Sequence, residues 1–403
     1  MASMGSSLRV PGFAPLAGSY ALNELGDNFG IVALAVLVLD ETGSALGTAA
    51  LFLAAKFLPA LVAPAMVAAL DRRPVGRVLP VFYVVEAAAF AALALVAGSF
   101  WLPAVLVLGF VDGLVALTAR GLSRGAVATT LQPAGLLREG NALLNVAFAV
   151  TSAGGPALAG LVVSAGGPAL ALWIDAGSFL AVAVLLAAYR RVLPVPAPAE
   201  RREPWSTRVR DGIRYVRRHP VAGRLVGGEA LAIVFFTIAV PIDVVYAKET
   251  LDAGDLGFGL LLASWGVGIL LGSAIFARAR SWPVATLVLL STAAIGAGYG
   301  GMALAPGLAV ACLASVVGGT GNGVQWVAVM TALQESVHDD YQARAAGLLE
   351  SAAAAMPGVG FVVGGVIAWA ADPRVAFLVA AFGVLLLTLA WARKPLVHEP
   401  AAA

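Results

Sequence analysis

Charge is scarce in this chain of 403 residues: only 12% are Asp, Glu, Lys or Arg. A soluble domain carries about 25%, so half the usual charge excludes a soluble protein of this size. Cysteine is almost absent, and the single Cys312 excludes a disulfide framework. The three histidines, 219, 338 and 398, all fall in polar segments, which excludes a bis-His haem site within a span and a His-rich metal site. The three lysines, 56, 248 and 394, lack the Gly-Lys-Ser/Thr context of a phosphate-binding loop, so the chain cannot power itself by hydrolysing ATP. Neither a repeated pore loop nor a ring of charge suggests a channel. No acid/His cluster suggests a membrane enzyme, and no cofactor or metal is expected.

Apolar residues and glycine are abundant. The chain is 60% hydrophobic and holds 46 glycines, with a mean hydropathy of +0.92. Hydrophobicity at this level excludes disorder, and small residues let helices approach closely in lipid. A spanning helix needs about 20 mostly apolar residues. Twelve such stretches are read, at 16–39, 45–69, 78–98, 101–119, 142–164, 168–189, 225–247, 256–277, 284–304, 307–330, 345–370 and 374–392. The expected fold is an all-α polytopic membrane protein. An even number of spans puts both termini on one side. With the termini inside, 22 of the 25 Lys and Arg are cytoplasmic, only Lys248 and Arg374 are outside, and Lys56 lies within a span. The positive-inside rule therefore favours cytoplasmic termini in the inner (plasma) membrane. No cleavable signal peptide is expected.

One long polar stretch, 190–224, carries ten of the basic residues. It opens on the stiff Pro194-Val195-Pro196-Ala197-Pro198 run and continues from Trp205 to Arg218 with Val209, Ile213 and Val216 at helical spacing. This reads as an amphipathic helix, either lying on the cytoplasmic membrane surface or simply a solvated linker. Membrane topology accounts for its charge, so nucleic acid is not an expected partner. The linker separates an N-terminal six-helix bundle, 1–189, from a C-terminal one, 225–403. Internal similarity supports two pseudo-symmetric halves: Leu46-Gly47 precedes Leu256-Gly257 by 210 residues, and Gly155 to Gly160 precedes Gly360 to Gly365 by 205.

Twelve spans, a 6+6 layout and a basic central loop resemble the major facilitator superfamily. Two motifs carry the resemblance further. The loop Asp71-Arg72-Arg73-Pro74-Val75-Gly76-Arg77 is similar to the family's loop between spans two and three, with Val67 where the family has Gly. Gly155-Pro156 followed by Gly160 in span five is similar to the Gly-Pro signature of the superfamily's antiporters. The run from Gly43 to Arg72 resembles the bacterial siderophore and macrolide exporters. Physically, Asp71 with Arg72 and Arg77 is either a latch between two helices or an ordinary positive-inside loop. Pro156 removes a backbone donor and should bend span five. Gly154, Gly155 and Gly160 form a smooth face, with Gly268 and Gly272 of span eight at matching spacing.

Charged groups inside the spans are costly, from about 2.5 kcal/mol upward, and are candidates for function. Asn23, Glu24, Asp27 and Asn28 share one face of span one. Asp27 lies about 16 Å from the start of that span, near the midplane. Two acids one turn apart suit proton coupling or substrate binding, and also a structural pairing. Lys56, deep in span two, needs a partner, and Asp27 or Glu24 is nearest in sequence. Asp112, midway along span four, is a second coupling candidate. Glu86 in span three fits coupling or a hydrogen-bonded structural acid. Glu229 near the inner end of span seven and Asp243 near its outer end are 14 residues apart and share a face. Asp243, after Pro241, fits an outer gate or simple interfacial exposure. Asn322, Gln325 and Trp326 make a polar-aromatic face of span ten, suited to an amphiphilic ligand or to helix–helix hydrogen bonding.

The resemblance implies alternating access, with proton-coupled export of a small amphiphilic molecule. A symporter or facilitator of a polar nutrient is the alternative, and a transport-inactive membrane scaffold the alternative of another class. A monomer is expected, with protons, a small-molecule substrate and the lipid bilayer as its partners.

Overall fold

The computed structural model describes residues 4–70, 73–193, 214, 218–279, 281–337 and 339–393. The described residues form helices and no strand, the arrangement in which each apolar run satisfies its own backbone in lipid. The membrane helices are α1 (Phe13–Thr42), α2 (Ala45–Leu70), α3 (Val75–Ala97) and α4 (Leu102–Leu131), followed by the long helical stretch Leu137–Ala188. Gly167, at φ 79° and ψ 169°, breaks that stretch in two, giving α5 (137–166) and α6 (168–188). After them come α7 (Pro220–Thr237), α8 (Gly254–Arg278), α9 (Val284–Leu304), α10 (Leu308–Ser336), α11 (Asp339–Ala370) and α12 (Pro373–Ala392). Divided at Gly167, the eleven helices long and apolar enough to cross a membrane become twelve among the described residues. The proposed surface helix 205–218, apart from residues 214 and 218, lies outside the described residues, as do Asp71 and Arg72.

Helix ends follow local chemistry. Gly43 closes α1 in the left-handed region at φ 57°, its N–H donating to Leu39 O. Ser44 caps α2, its hydroxyl accepting from Gly47 N at 3.3 Å. Within α2, Leu53–Phe57 widens to a π turn that carries Lys56. Pro156 keeps helical dihedrals, and the break in the stretch falls eleven residues on, at Gly167.

Span seven is not continuous. α7 stops at Thr237, and only a short turn, Asp243–Val245, and a π turn, Tyr246–Thr250, follow. Pro241 has no N–H to carry a regular helix through, so Glu229 and Asp243 do not stand on one unbroken helix.

Two compact units are present. One holds the described residues up to 193 together with Gly254–Ala263, and the other holds the remaining described residues. In the first unit, a Cβ on Gly155 would stand 3.0 Å from Asn28 Cβ, so α5 packs on α1. A Cβ on Gly160 would stand 2.9 Å from Gly259 Cα, which brings the start of α8 against α5. In the second unit, Gly360 and Gly364 of α11 meet the backbone at Val234 and Ile238, at the end of α7. Gly268 and Gly272 face α10, at Thr320 and its neighbours. The partner of the Gly160 face is therefore Gly259, not the expected Gly268 and Gly272. The last carbonyls of α9 are capped from other segments, Met302 O by the Tyr246 hydroxyl and Ala303 O by Arg374 Nη1 at 2.7 Å.

Gly113 of α4 lies against the carbonyl of Ala55 in the π turn, leaving no room for a side chain. Gly113→Ala should cost about 1–3 kcal/mol through overpacking, read as a lower melting temperature in detergent. Gly125→Ala is the control: the same helix has open space there, and melting should hold or rise.

Candidate functional site

The polar face of α1 is assembled at mid-helix. Asp27 is the fifteenth residue of a 30-residue helix, and Glu24 and Asp27 are 1% and 8% exposed. Their shared partner is Arg120 of α4. Its Nε lies 2.8 Å from Glu24 Oε1 and its Nη2 lies 2.9 Å from Asp27 Oδ2. Asn23 Nδ2 donates to the same Asp27 oxygen at 3.1 Å. One turn toward the start of α1, Tyr20 faces Arg124, one turn beyond Arg120 on α4. Two helices are thus joined by a ladder of charge, with one guanidinium shared between two carboxylates.

Arg120 stands where Lys56 was expected. Lys56 makes no ion pair with Glu24 or Asp27 among the described residues. It lies within electrostatic range of Glu24, Asp112 and Asp175. The π turn explains the offset, because it widens α2 at Lys56, while Gly109 and Gly113 bring α4 onto Ala55. Asp112 is buried, interacts with Asp27 and Lys56, and has Oδ1 without a hydrogen bond.

Glu86 is wholly buried, and neither carboxyl oxygen has a hydrogen-bond partner. Among the described residues no side chain or backbone group supplies the hydrogen bond that a structural role for Glu86 would use. Asp175 of α6 is a further buried acid that sequence reading missed. Its only sign there is an Asp seven residues after Pro168 in an otherwise apolar span.

Of the expected ligand-contacting residues, Asn28 spends its amide on Glu24 O at 2.7 Å. Asn23 spends its own on Asp27 and keeps Oδ1 open. In the second unit, Gln325 Nε2 donates to Glu229 Oε2, and both groups are buried. Asn322 and Trp326 are half-buried on the same helix, and Trp326 packs against the apolar core of that unit. Arg77 is exposed at the start of α3. Val67, which stands where the family has Gly, packs instead onto Gly121 across from it on α4. Gly121-Leu122-Ser123-Arg124-Gly125 has the spacing of a hydrolase nucleophile turn, but it lies inside α4 with Ser123 buried, not on the strand-to-helix turn that such a nucleophile needs.

The family described as transmembrane secretion effector, a branch of the major facilitator superfamily, matches residues 3–402. The multidrug efflux pump Tap of Mycolicibacterium fortuitum is 27% identical over 395 residues, 93% of each chain. The MFS-type transporter YfiS of Bacillus subtilis (strain 168) is 25% identical over 244 residues, and the match spans 58% of either chain. Among solved structures, a bacterial homologue of the iron transporter ferroportin in an inward-facing state superposes with a TM-score of 0.75 at 16% identity, over 96% of this chain and 98% of that one. A D-xylose–proton symporter does so with a TM-score of 0.69 at 15% identity, over 96% and 98%. These relatives and neighbours are transporters rather than enzymes, and the chain belongs to the transmembrane secretion effector family of the major facilitator superfamily.

Proposed function

We propose that the protein is a secondary active transporter of the inner membrane that works by alternating access and exports a small amphiphilic molecule in exchange for protons. The observation that carries this reading is the sharing of Arg120 by Glu24 and Asp27 at mid-helix. Two acids facing one cation hold one negative charge in excess, which either a proton or a cationic cargo neutralises. When Asp27 carries a proton, Arg120 is held by Glu24 alone, and α1 and α4 are free to shift against each other. When the proton leaves, the guanidinium bridges both acids again. A ligand can bias such an equilibrium only through its different affinity for the two states, and the shared arginine supplies that difference.

The export direction is supported by the likeness to the efflux pump Tap. Asn322 and Trp326 of α10 supply a polar-aromatic edge for the cargo, and Asp112 with Lys56 tunes the charge beside Asp27. Gly155, Pro156 and Gly160 of α5, with the Asp71, Arg72 and Arg77 loop, are the proposed gating elements. In this reading both termini face the cytoplasm, as the distribution of Lys and Arg favours.

Purified protein in liposomes, with pyranine inside and the fluorescent cation ethidium as probe, tests the reading. An imposed pH gradient should drive ethidium against its concentration gradient, and ethidium flux should carry protons the other way. Proton-independent ethidium flux would point instead to a facilitator, and movement of protons and ethidium in the same direction to a symporter. No flux of any probe, with no pH-dependent change of conformation, would point to a scaffold.

A further inference from the structure

Behind α1 lies a second layer of acids that the Arg120 bridge does not use. Asp175 of α6 is 2% exposed, and its carboxylate rests directly on the α1 backbone. A Cβ on Gly26 would stand 2.8 Å from Asp175 Oδ1, and one on Gly30 would stand 2.6 Å from Oδ2. Gly26 is one residue, about 100° of helix rotation, from Asp27, so Asp175 approaches α1 from a face other than the one Arg120 holds. Ser178 donates to Asp175 Oδ1 at 3.2 Å, and Oδ2 has no hydrogen bond. Glu86 of α3 is wholly buried with both oxygens unpartnered. Around the pair stand the rings of Phe90 and Phe179, stacked at 5.4 Å, and Tyr83, 6.2 Å from Phe179.

The charged and titratable groups facing the pair can be named helix by helix. They are Asp27 on α1, Lys56 on α2, Tyr83 on α3, and Asp112 with Arg120 on α4. Arg120 is already committed to Glu24 and Asp27. Lys56 forms no ion pair within the cluster. Five carboxyl groups, counting Glu24, Asp27, Glu86, Asp112 and Asp175, therefore face Arg120 and Lys56, with Arg124 acting on Glu24 at the edge of the cluster. Desolvating an isolated carboxylate costs several kcal/mol even after relaxation, and such groups are tolerated in membranes when they serve a pathway or relay. A proton is the smallest ligand that removes that cost, and it needs no space beside the glycine face, where a Cβ would already stand 2.6 to 2.8 Å from the Asp175 oxygens.

Resting on the proton-coupled reading above, we propose that Glu86 and Asp175 are a second pair of proton carriers, set behind the glycine face of α1, which raises the number of protons exchanged per cargo molecule without touching the cargo. Each carboxylate takes one proton from bulk water by way of the neighbouring Asp112 and Asp27 and gives it back, with no other bond made or broken. Movement of α1 changes the site, because Gly26 and Gly30 carry one wall of it.

Infrared difference spectra of the full-length protein in liposomes, recorded between acid and alkaline buffers in H2O and D2O, test the pair without any cargo. The wild type should show pH-dependent carbonyl bands of protonated carboxylic acids. Glu86→Gln should lose one band and Asp175→Asn another, while both variants still bind ethidium and show a smaller proton-to-ethidium ratio. If neither substitution removes a pH-dependent band, the pair is structural and the proposal fails. Loss of the bands on adding sodium at constant pH would make this a cation site and overturn it as well. Should a variant fail to fold, wild-type protein labelled with 13C-aspartate or with 13C-glutamate sorts the bands by residue type without substitution, and absence of a pH-dependent band shifted by either label overturns the proposal. Bands that behave as expected in a protein that shows no proton-driven ethidium flux would leave Glu86 and Asp175 standing as proton-binding groups, and would sink the transport reading together with their part in its stoichiometry.

Discussion

Arg120→Ala is expected to be the most damaging single substitution in the first unit. It removes the one guanidinium that touches both Glu24 and Asp27, which are 1% and 8% exposed. Breaking a buried ion pair by deleting one partner costs about 3–5 kcal/mol, because the other charge is left uncompensated. Here two charges are left, one turn apart and repelling each other. If about 3 kcal/mol of that falls on one of two exchanging states, their ratio moves on the order of 100-fold. The variant should melt well below the wild type in detergent, and proton-driven ethidium flux should be lost.

Two further variants separate charge from packing. Arg120→Lys keeps the charge but not the fork. An ammonium cannot reproduce separate contacts from Nε and Nη2, so intermediate stability and weak flux are expected. The triple variant Arg120→Gln, Glu24→Gln, Asp27→Asn removes every charge of the bridge at once. Replacing a whole buried ion network by neutral groups is often neutral or stabilising, so melting should recover while proton drive stays absent. Wild-type melting in Arg120→Ala would show that the bridge does not hold the helices.

Much of this architecture can be read in the residues, because apolar length and charge placement are properties of the chain itself. The polar face of α1 is visible as four residues at i, i+3 and i+4 spacing, and the structure brings that face to one partner. The 205-residue offset is also physical. Gly155 sits at the close approach of α5 to α1, and Gly360 at that of α11 to α7, so each half uses its glycine against its own first helix. Other features escape for reasons that are equally concrete. Arg120 follows the apolar stretch ending at residue 119 and so counts as a loop charge, yet α4 continues to Leu131 and sets it, half-buried, against two buried acids. Asp175 has no polar neighbour at helical spacing except Ser178. What marks it is a pair of glycines on another helix, 145 and 149 residues away. The π turn at Leu53–Phe57 moves Lys56 off the expected register, and a run of Leu, Ala and Phe gives no local sign of the widening. The break in span seven was marked, since Pro241 stands in its path, but hydropathy averages across a single proline.

Asp27→Asn should give the opposite profile to Arg120→Ala, a folded protein with its coupling removed. Asparagine has the shape of the protonated acid at every pH, and it leaves Arg120 paired with Glu24, one cation to one anion. The excess negative charge of the bridge disappears, so no desolvation cost is added and melting should match or exceed that of the wild type. Asn23 Nδ2, which donates to Asp27 Oδ2 at 3.1 Å, finds the amide oxygen of the substituted side chain in its place. What the variant lacks is a group that gains and loses a proton as α1 and α4 shift. Ethidium exchange between equal concentrations on the two sides should persist, because it needs only the cargo-bound states. Accumulation driven by a pH gradient should vanish, and the pyranine signal with it. Wild-type flux should change with pH, whereas the variant's should be flat. Glu24→Gln leaves the Asp27–Arg120 contact in place and should retain part of the proton drive, which makes the two acids unequal although one guanidinium serves both. Full proton-driven flux in both single variants would remove the bridge from the coupling step. A loss confined to Glu24→Gln would exchange the two roles, placing the transported proton on the more deeply buried acid.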